Sequence, residues 1–146
     1  MTAPVIRAYR PADDAALFAF DERVVTDPAR MSLMHRAHAA SGLWVAEVDG
    51  RVAGYVARTR DFYGQEFIAL LVVDQASRRC GIGTALMQRI EDGSTHDRVF
   101  TSANESNAPM RALLARLGYR ASGRIENLDP GDPELVFVKF LERPPG

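Results

Sequence analysis

Residues 67–92 read FIALLVVDQASRRCGIGTALMQRIED, and this stretch organises the whole chain. Phe67–Val73 is a seven-residue run of β-type apolar residues, a length that suits a strand buried on both faces. From Gly81 to Asp92 the spacing predicts a helix, with Ile82, Ala85, Leu86 and Ile90 on one stripe. Between the two lies Arg78-Arg79-Cys80-Gly81-Ile82-Gly83-Thr84. Glycine lets backbone approach a ligand because no Cβ stands in the way. A helix N-terminus offers unpaired N–H groups and roughly half a positive charge. Strand, glycine turn and helix start therefore make a seat for phosphate, flanked here by two arginines.

Three nucleotide motifs share that outline. A P-loop needs Gly-Lys-Ser/Thr at its end, and the chain has Gly83-Thr84-Ala85. A dinucleotide fingerprint needs a third glycine where Leu86 stands, and usually sits in an early βαβ unit. What remains is Arg78-x-x-Gly81-x-Gly83 after a strand.

Composition bounds the rest. A chain of 146 residues fits one domain, spanning 1–146, and buries about 70% of its unfolded surface. Hydrophobic residues are 47%, charged residues 25%, and the formal net charge is −1, so there is no basic footprint for nucleic acid. No apolar run approaches the ~20 residues that cross a bilayer, so no membrane partner is expected. MTAPVIRAYRPADD lacks the apolar core of a signal peptide. Together with a single cysteine, Cys80, this points to a reducing cytoplasm. His35, His38 and His96 have no metal-site spacing, so no metal is expected.

Taken in order, Val5–Arg10 alternates weakly as a strand, and Asp13 or Asp14 can cap a helix over Ala15–Val24. Asp27-Pro28 breaks it. A helix over Ala29–Ser41 places Met31, Met34, His35 and His38 on one side, either as core or along a substrate mouth. Asp49-Gly50 between Leu43–Val48 and Val52–Arg58 is the strongest short hairpin signal. Gly54 inside the second run marks a bulge or a close backbone approach. A turn at Asp61–Gln65 leads into a strand over Glu66–Val73. After the helix comes a strand at Arg98–Ser102, parallel to the strand before that helix because a crossover joins them. Asn107 and Pro109 open a further helix, buried on Met110, Leu113, Leu114 and Leu117 and closed by Gly118. Strands at Tyr119–Ile125 and Glu134–Leu141 finish the chain before the tail Arg143–Gly146.

The order β-α-α-β-β-β-α-β-α-β-β, the Arg78-x-x-Gly81-x-Gly83 loop, and Asn107 opening a helix that ends in Gly118-Tyr119 together resemble the GNAT superfamily of N-acetyltransferases. The resemblance covers nearly the whole chain. It implies an α/β (α+β) fold, with a mixed, mostly antiparallel sheet whose central strands splay, flanked by helices. It implies acetyl-CoA as co-substrate and direct attack by a primary amine in a ternary complex. It assigns the pantetheine arm to main-chain groups of Leu71, Val72 and Val73, and the oxyanion to the Leu71 N–H. The diphosphate falls to Arg78, Arg79, Cys80, Gly81, Ile82, Gly83 and Thr84. Asn107 either contacts pantetheine or caps its helix. Cys80 is structural or a reactive thiol. Homodimers are frequent in such a family.

The amine side departs from the family pattern. The tyrosine that often protonates the leaving thiolate falls at Leu114, and the glutamate bases of two branches fall at Ser102 and Phe67. Tyr63, Glu66, Tyr119, Glu126 and Glu134 are the candidate substitutes, with Tyr63 and Glu66 placed first. An α-amino group of pKa ~8 is about a tenth neutral at neutral pH, and a lysine of pKa ~10.4 less than a thousandth. The expectation is therefore a small-molecule or amino-acid acceptor. A protein N-terminus or lysine is the alternative substrate, and a non-catalytic acyl-CoA-binding module the alternative class.

Overall fold

The computed structural model describes residues 3–78 and 80–142, so Arg79 and the tail at 143–146 lie outside the described residues. Seven strands form one sheet: β1 (Val5–Ala8), β2 (Leu43–Val48), β3 (Arg51–Phe62), β4 (Gln65–Val73), β5 (Arg98–Asn104), β6 (Arg120–Ile125) and β7 (Glu134–Phe140). The spatial order is β1-β2-β3-β4-β5-β7-β6. Every neighbouring pair is antiparallel except β4 and β5, the parallel pair that the crossover requires. The sheet and its flanking helices have the mixed, mostly antiparallel architecture expected from the sequence.

Helices cover both faces. On one, α4 (Ile82–Gly93) and α5 (Ala108–Arg116) bury Ile82, Leu86, Met87, Ile90 and Leu114 against Val56, Ile68 and Val99. Each such side chain contributes about 1.5–3 kcal/mol by leaving water. On the other face lie α1 (Asp14–Phe20), α2 (Arg23–Thr26) and α3 (Pro28–Ala39). Leu17, Val24, Met34 and Ala37 pack there on Leu43, Val45, Tyr55 and Ala57. Met34 is thus core, and His38 stacks edge-on to Tyr9 with centroids 4.9 Å apart. Met31 packs beside that core while His35 and His38 are exposed, and none of the stripe lines the main cleft.

Local chemistry explains the turns. Asp49 and Gly50 take φ of 53° and 77°, the pair of positive values a two-residue hairpin needs. Ala53 is the extra residue of a bulge in β3, since Ala46 pairs Gly54 while Glu47 pairs Val52. A Cβ on Gly54 would stand 2.9 Å from Ile82 Cγ2 and 3.1 Å from the Val72 carbonyl oxygen, so Gly54 serves the close approach and the bulge falls on its neighbour.

Two expectations need correction. The helix over Ala15–Val24 breaks at Asp21. Asp21 is buried, and its carboxylate holds Arg30 and the Tyr55 hydroxyl. Neither Asp13 nor Asp14 caps α1 with its side chain; the Asp13 carboxylate takes Arg7 at 2.9 and 2.7 Å instead. The turn expected at Asp61–Gln65 is a tight one centred on Tyr63 and Gly64, with φ of 55° and 72° and Phe62 still paired to Gln65.

Candidate active site

The site begins where β4 and β5 part. Their pairing consists of Glu66 with Val99, Phe67 with Phe100, and Ile68 with Thr101. Beyond that rung β4 runs on to Val73, held only by β3, and β5 runs on to Asn104, held only by β7. A local cause is visible in β4. Leu70 pairs Ala57 while Ile68 pairs Arg58, so Ala69 is an extra, bulged residue. Bulges bend a strand and end its pairing. The bulge also resets which side chains face which helices. Ile68, Leu71 and Val73 turn to α4 and α5, whereas Leu70 and Val72 turn to α1–α3.

The opening is a cleft of about 680 Å³, within the range of small-molecule sites. Its β4 wall presents bare main chain. Asp74 N donates to Ala53 O at 2.8 Å, and antiparallel rungs alternate. With Val73 opposite Gly54 and Leu71 opposite Val56, the amides and carbonyls of Leu71 and Val73 therefore point away from β3, into the cleft. Val72 alternates the other way. Its main chain is spent on Tyr55 of β3, so the assignment of Val72 to the arm through main-chain groups is corrected, although the residue lines the cleft.

At one end of the cleft stands the start of α4. Gly81 precedes the helix with φ 74°, a left-handed conformation natural to glycine. No described residue accepts from the amides of Gly81, Ile82, Gly83 or Thr84. All four residues line the cleft with Arg78. A Cβ on Gly83 would sit 3.3 Å from Leu113 Cδ2 and 3.6 Å from Leu71 Cδ2, so the missing side chain keeps the passage open. Four amides without a partner among the described residues, a helix dipole and bare strand edge in one cleft fit a thiol-tipped pantetheine arm ending in a diphosphate. Asn107 caps α5, its Oδ1 accepting from Met110 N at 3.2 Å, and also lines the cleft. Cys80 lies off the cleft lining and packs on the α4 core, with Sγ 3.9 Å from the Arg78 carbonyl. Arg79 falls outside the described residues.

The two leading acid–base candidates are not brought to the cleft. Glu66 is 1% exposed. Its carboxylate takes Arg58 Nε at 3.1 Å and Arg60 Nε at 3.0 Å, and stands 3.2 Å from His96 Nδ1. Arg58, whose pKa burial lowers, also donates to the Ala40 and Ser41 carbonyls at the end of α3. Glu66 is thus the anionic centre of a buried cluster below the parting strands. Tyr63 is 89% exposed at the hairpin tip, against Phe62. Tyr119 donates to Glu91, which also holds Lys139, and burial raises its pKa. Glu126 pairs with Arg124 outside the cleft. Leu114 is core, and Phe67 stacks on Phe62 at 4.9 Å.

Glu134 alone of the five lines the cleft, opposite Asn104 and beside Ser102. Burial holds its pKa above the usual carboxylate range, with Asp129 and Asp132 adding to that and the Ser102 hydroxyl opposing it. The loop between β6 and β7 is tied to β5 by Asn104 Nδ2, which donates to Asp129 Oδ2 at 2.8 Å. Arg23, Arg30 and Arg116 also line the cleft. Sequence pattern does not single them out, because only the tertiary path brings isolated arginines to one opening. Among the described residues no group of three or more His, Cys, Asp or Glu could hold a metal ion, and no helix is long and apolar enough to cross a membrane.

Comparison with known proteins agrees with this geometry. N-acetyltransferase MJ1530 of Methanocaldococcus jannaschii, itself uncharacterized, is 36% identical over 101 residues. The match covers 66% of the chain but 64% of that relative's length. The crystal structure of a GNAT-family acetyltransferase from Bacillus cereus superposes with a TM-score of 0.87 at 25% identity, covering 97% of this chain and all of the other. The structure of yncA from Salmonella typhimurium with its cofactor acetyl-CoA shares the fold, with a TM-score of 0.77 at 18% identity over 99% of this chain and 98% of that one. The sequence model of the Acetyltransferase (GNAT) family matches residues 9–119, and the chain belongs to that family.

Proposed function

We propose that the protein transfers an acetyl group from acetyl-CoA to a primary amine of a small molecule or amino acid, by direct attack in a ternary complex. Acetyl-CoA supplies the acetyl group as an activated thioester. One observation carries this reading: the cleft-facing main chain of Leu71 and Val73 shares a single opening with the free amides of Gly81–Thr84. The amides and the α4 dipole hold the diphosphate, with Arg78 adding charge. Val73 pairs with the pantetheine arm as a missing strand would. The Leu71 N–H points where the acyl oxygen gathers charge, and losing such a donor typically costs ~10²–10³ in rate. Asn107 has its Oδ1 on the helix cap and its Nδ2 left for the arm. The acetyl-CoA-bound relative with the same fold supports this donor half.

The same reading makes residues 1–146 one N-acetyltransferase domain working in a reducing, cytoplasmic compartment, where Cys80 stays a thiol. The test is calorimetric binding of acetyl-CoA followed by thiol release over amino acids, polyamines, aminoglycosides and peptides. Binding with turnover of small amines supports the reading. Turnover confined to peptides replaces the acceptor class, binding with no thiol release leaves a binding module, and no binding removes the donor site.

A further inference from the structure

Acetyl transfer leaves the second mouth of the cleft unassigned. Val99 faces α4, so by alternation Ser102 and Asn104 of β5 face the other way. Phe137 likewise packs with the α4 core, which turns Glu134 and Val136 to the face of α1–α3. Arg23 and Arg30 belong to the helices on that face. Arg23, Arg30 and Glu134 therefore stand across the sheet from the diphosphate seat, and their charges meet whatever enters from the opposite side.

Arg30 is the informative residue. Its Nη1 alone holds the buried Asp21 carboxylate, at 3.0 and 2.8 Å, and Tyr55 donates to the same carboxylate. The guanidinium is thereby fixed, with its side chain 12% exposed. Arg30 lines the cleft, and its Nε–Nη2 edge is not spent on Asp21. That edge is the fork that matches a carboxylate with two parallel bonds. Arg23 stands on α2, at the start of the helix before that of Arg30, and meets Asp27 at 3.8 Å. The other wall has the opposite sign: Glu134, with Asp129 and Asp132 close enough to perturb it.

We propose that the acceptor carries its own acid group, as an α-amino acid does, with its carboxylate on Arg30 and Arg23 and its ammonium against Glu134. This deepens the acetyl-transfer reading and rests on it. Glu134 takes one ammonium proton: an N–H bond breaks, an O–H bond forms on the carboxylate, and the lone pair left on nitrogen makes the new N–C bond. As the amide forms, the thioester C–S bond breaks with its electron pair on sulfur, that sulfur takes the second proton shed by nitrogen, and Glu134 returns the first to solvent. A carboxylate whose pKa is raised by burial is better matched to such a transfer.

The experiment pairs each proteinogenic L-amino acid with its own amide, which keeps the amine and removes the acid. Acetyl-CoA binding is measured by calorimetry in the same samples. The expected result is a preference for acids over amides of roughly tenfold or more in kcat/KM, the scale of a charged hydrogen bond. Arg23→Ala should collapse that ratio towards one through KM, and Arg23→Lys should restore part of it. Glu134→Gln should lower kcat, with Glu134→Asp recovering some of it. Amides that match acids, or an Arg23→Ala ratio equal to wild type, overturn the proposal while acetyl transfer stands. Loss of acetyl-CoA binding in the wild type overturns the acetyl-transfer reading itself.

Discussion

The Thr101 hydroxyl donates to the Ile68 carbonyl at 2.8 Å, at the last rung before β4 and β5 separate. Both residues are buried. The bond pins the vertex of the cleft, and the Ala69 bulge opens the strands immediately above it. Thr101→Val keeps the shape and leaves the carbonyl without this donor, at a cost of about 1–3 kcal/mol. We expect a lower Tm together with weaker acetyl-CoA binding. An unchanged affinity would show that the vertex does not set the cleft.

Gly83 and Gly81 should separate passage from backbone. Gly83→Val places a branched side chain against Leu113 and Leu71, inside the opening but within a helix that tolerates it. Acetyl-CoA affinity should fall by more than roughly tenfold, about 1.4 kcal/mol, with the far-ultraviolet spectrum preserved. Gly81→Ala meets no neighbour, yet its φ of 74° costs about 1–2 kcal/mol for any residue with a Cβ. Its main effect should be on stability, seen as a lower denaturant midpoint.

Glu66→Ala strips the charge partner from buried Arg58 and from Arg60. Breaking a buried pair from one side costs roughly 3–5 kcal/mol. Thermal melts should show a large loss, and kcat of the folded fraction should fall by less than tenfold. A hundredfold drop in kcat at intact stability would return Glu66 to the chemistry. Tyr63→Asn, at a turn position with φ 55°, should leave turnover unchanged and gain a few tenths of a kcal/mol, since asparagine accepts that conformation.

Glu134 should show a trade of stability for function. Its folded pKa is raised by burial and by Asp129 and Asp132, against the pull of Ser102. A raised carboxyl pKa means the native state bears the charge unwillingly above that pKa and at no cost below the unfolded value. Glu134→Gln should therefore raise Tm at neutral pH. The difference from wild type should shrink as pH falls through the folded pKa and vanish below the ordinary glutamate range. Differential scanning calorimetry across that range checks it, and a constant offset would mean the effect is not ionic.

Much of this is legible in the residues. The Asp49-Gly50 turn, the Asn107 cap and the Arg78-x-x-Gly81-x-Gly83 loop each depend on short-range chemistry, which composition and spacing carry directly. What is lost depends on pairing at a distance. Nothing in FIALLVV marks Ala69 as the extra residue, because a bulge is defined by the partner strand. Asp21 breaks its helix for the sake of Arg30 and Tyr55, neither adjacent in sequence. Glu66 beside a hydrophobic strand suggests a catalytic acid, yet three cationic or polar groups from elsewhere claim it. Glu134 ranks behind Tyr63 and Glu66 among five candidates until β7 is known to pair with β5.

That insertion of β7 between β5 and β6 has a consequence for how the molecule comes into being. One flank of β5 rests on three rungs with β4, and the whole of the other flank is supplied by residues 134–140. During synthesis β5, the far wall of the cleft, stays without its longer neighbour until this late segment leaves the ribosome. A nascent chain therefore carries a finished β2–β3 hairpin and α4 well before β5 gains its longer partner, and products terminated ahead of residue 134 lack the strand that secures that flank.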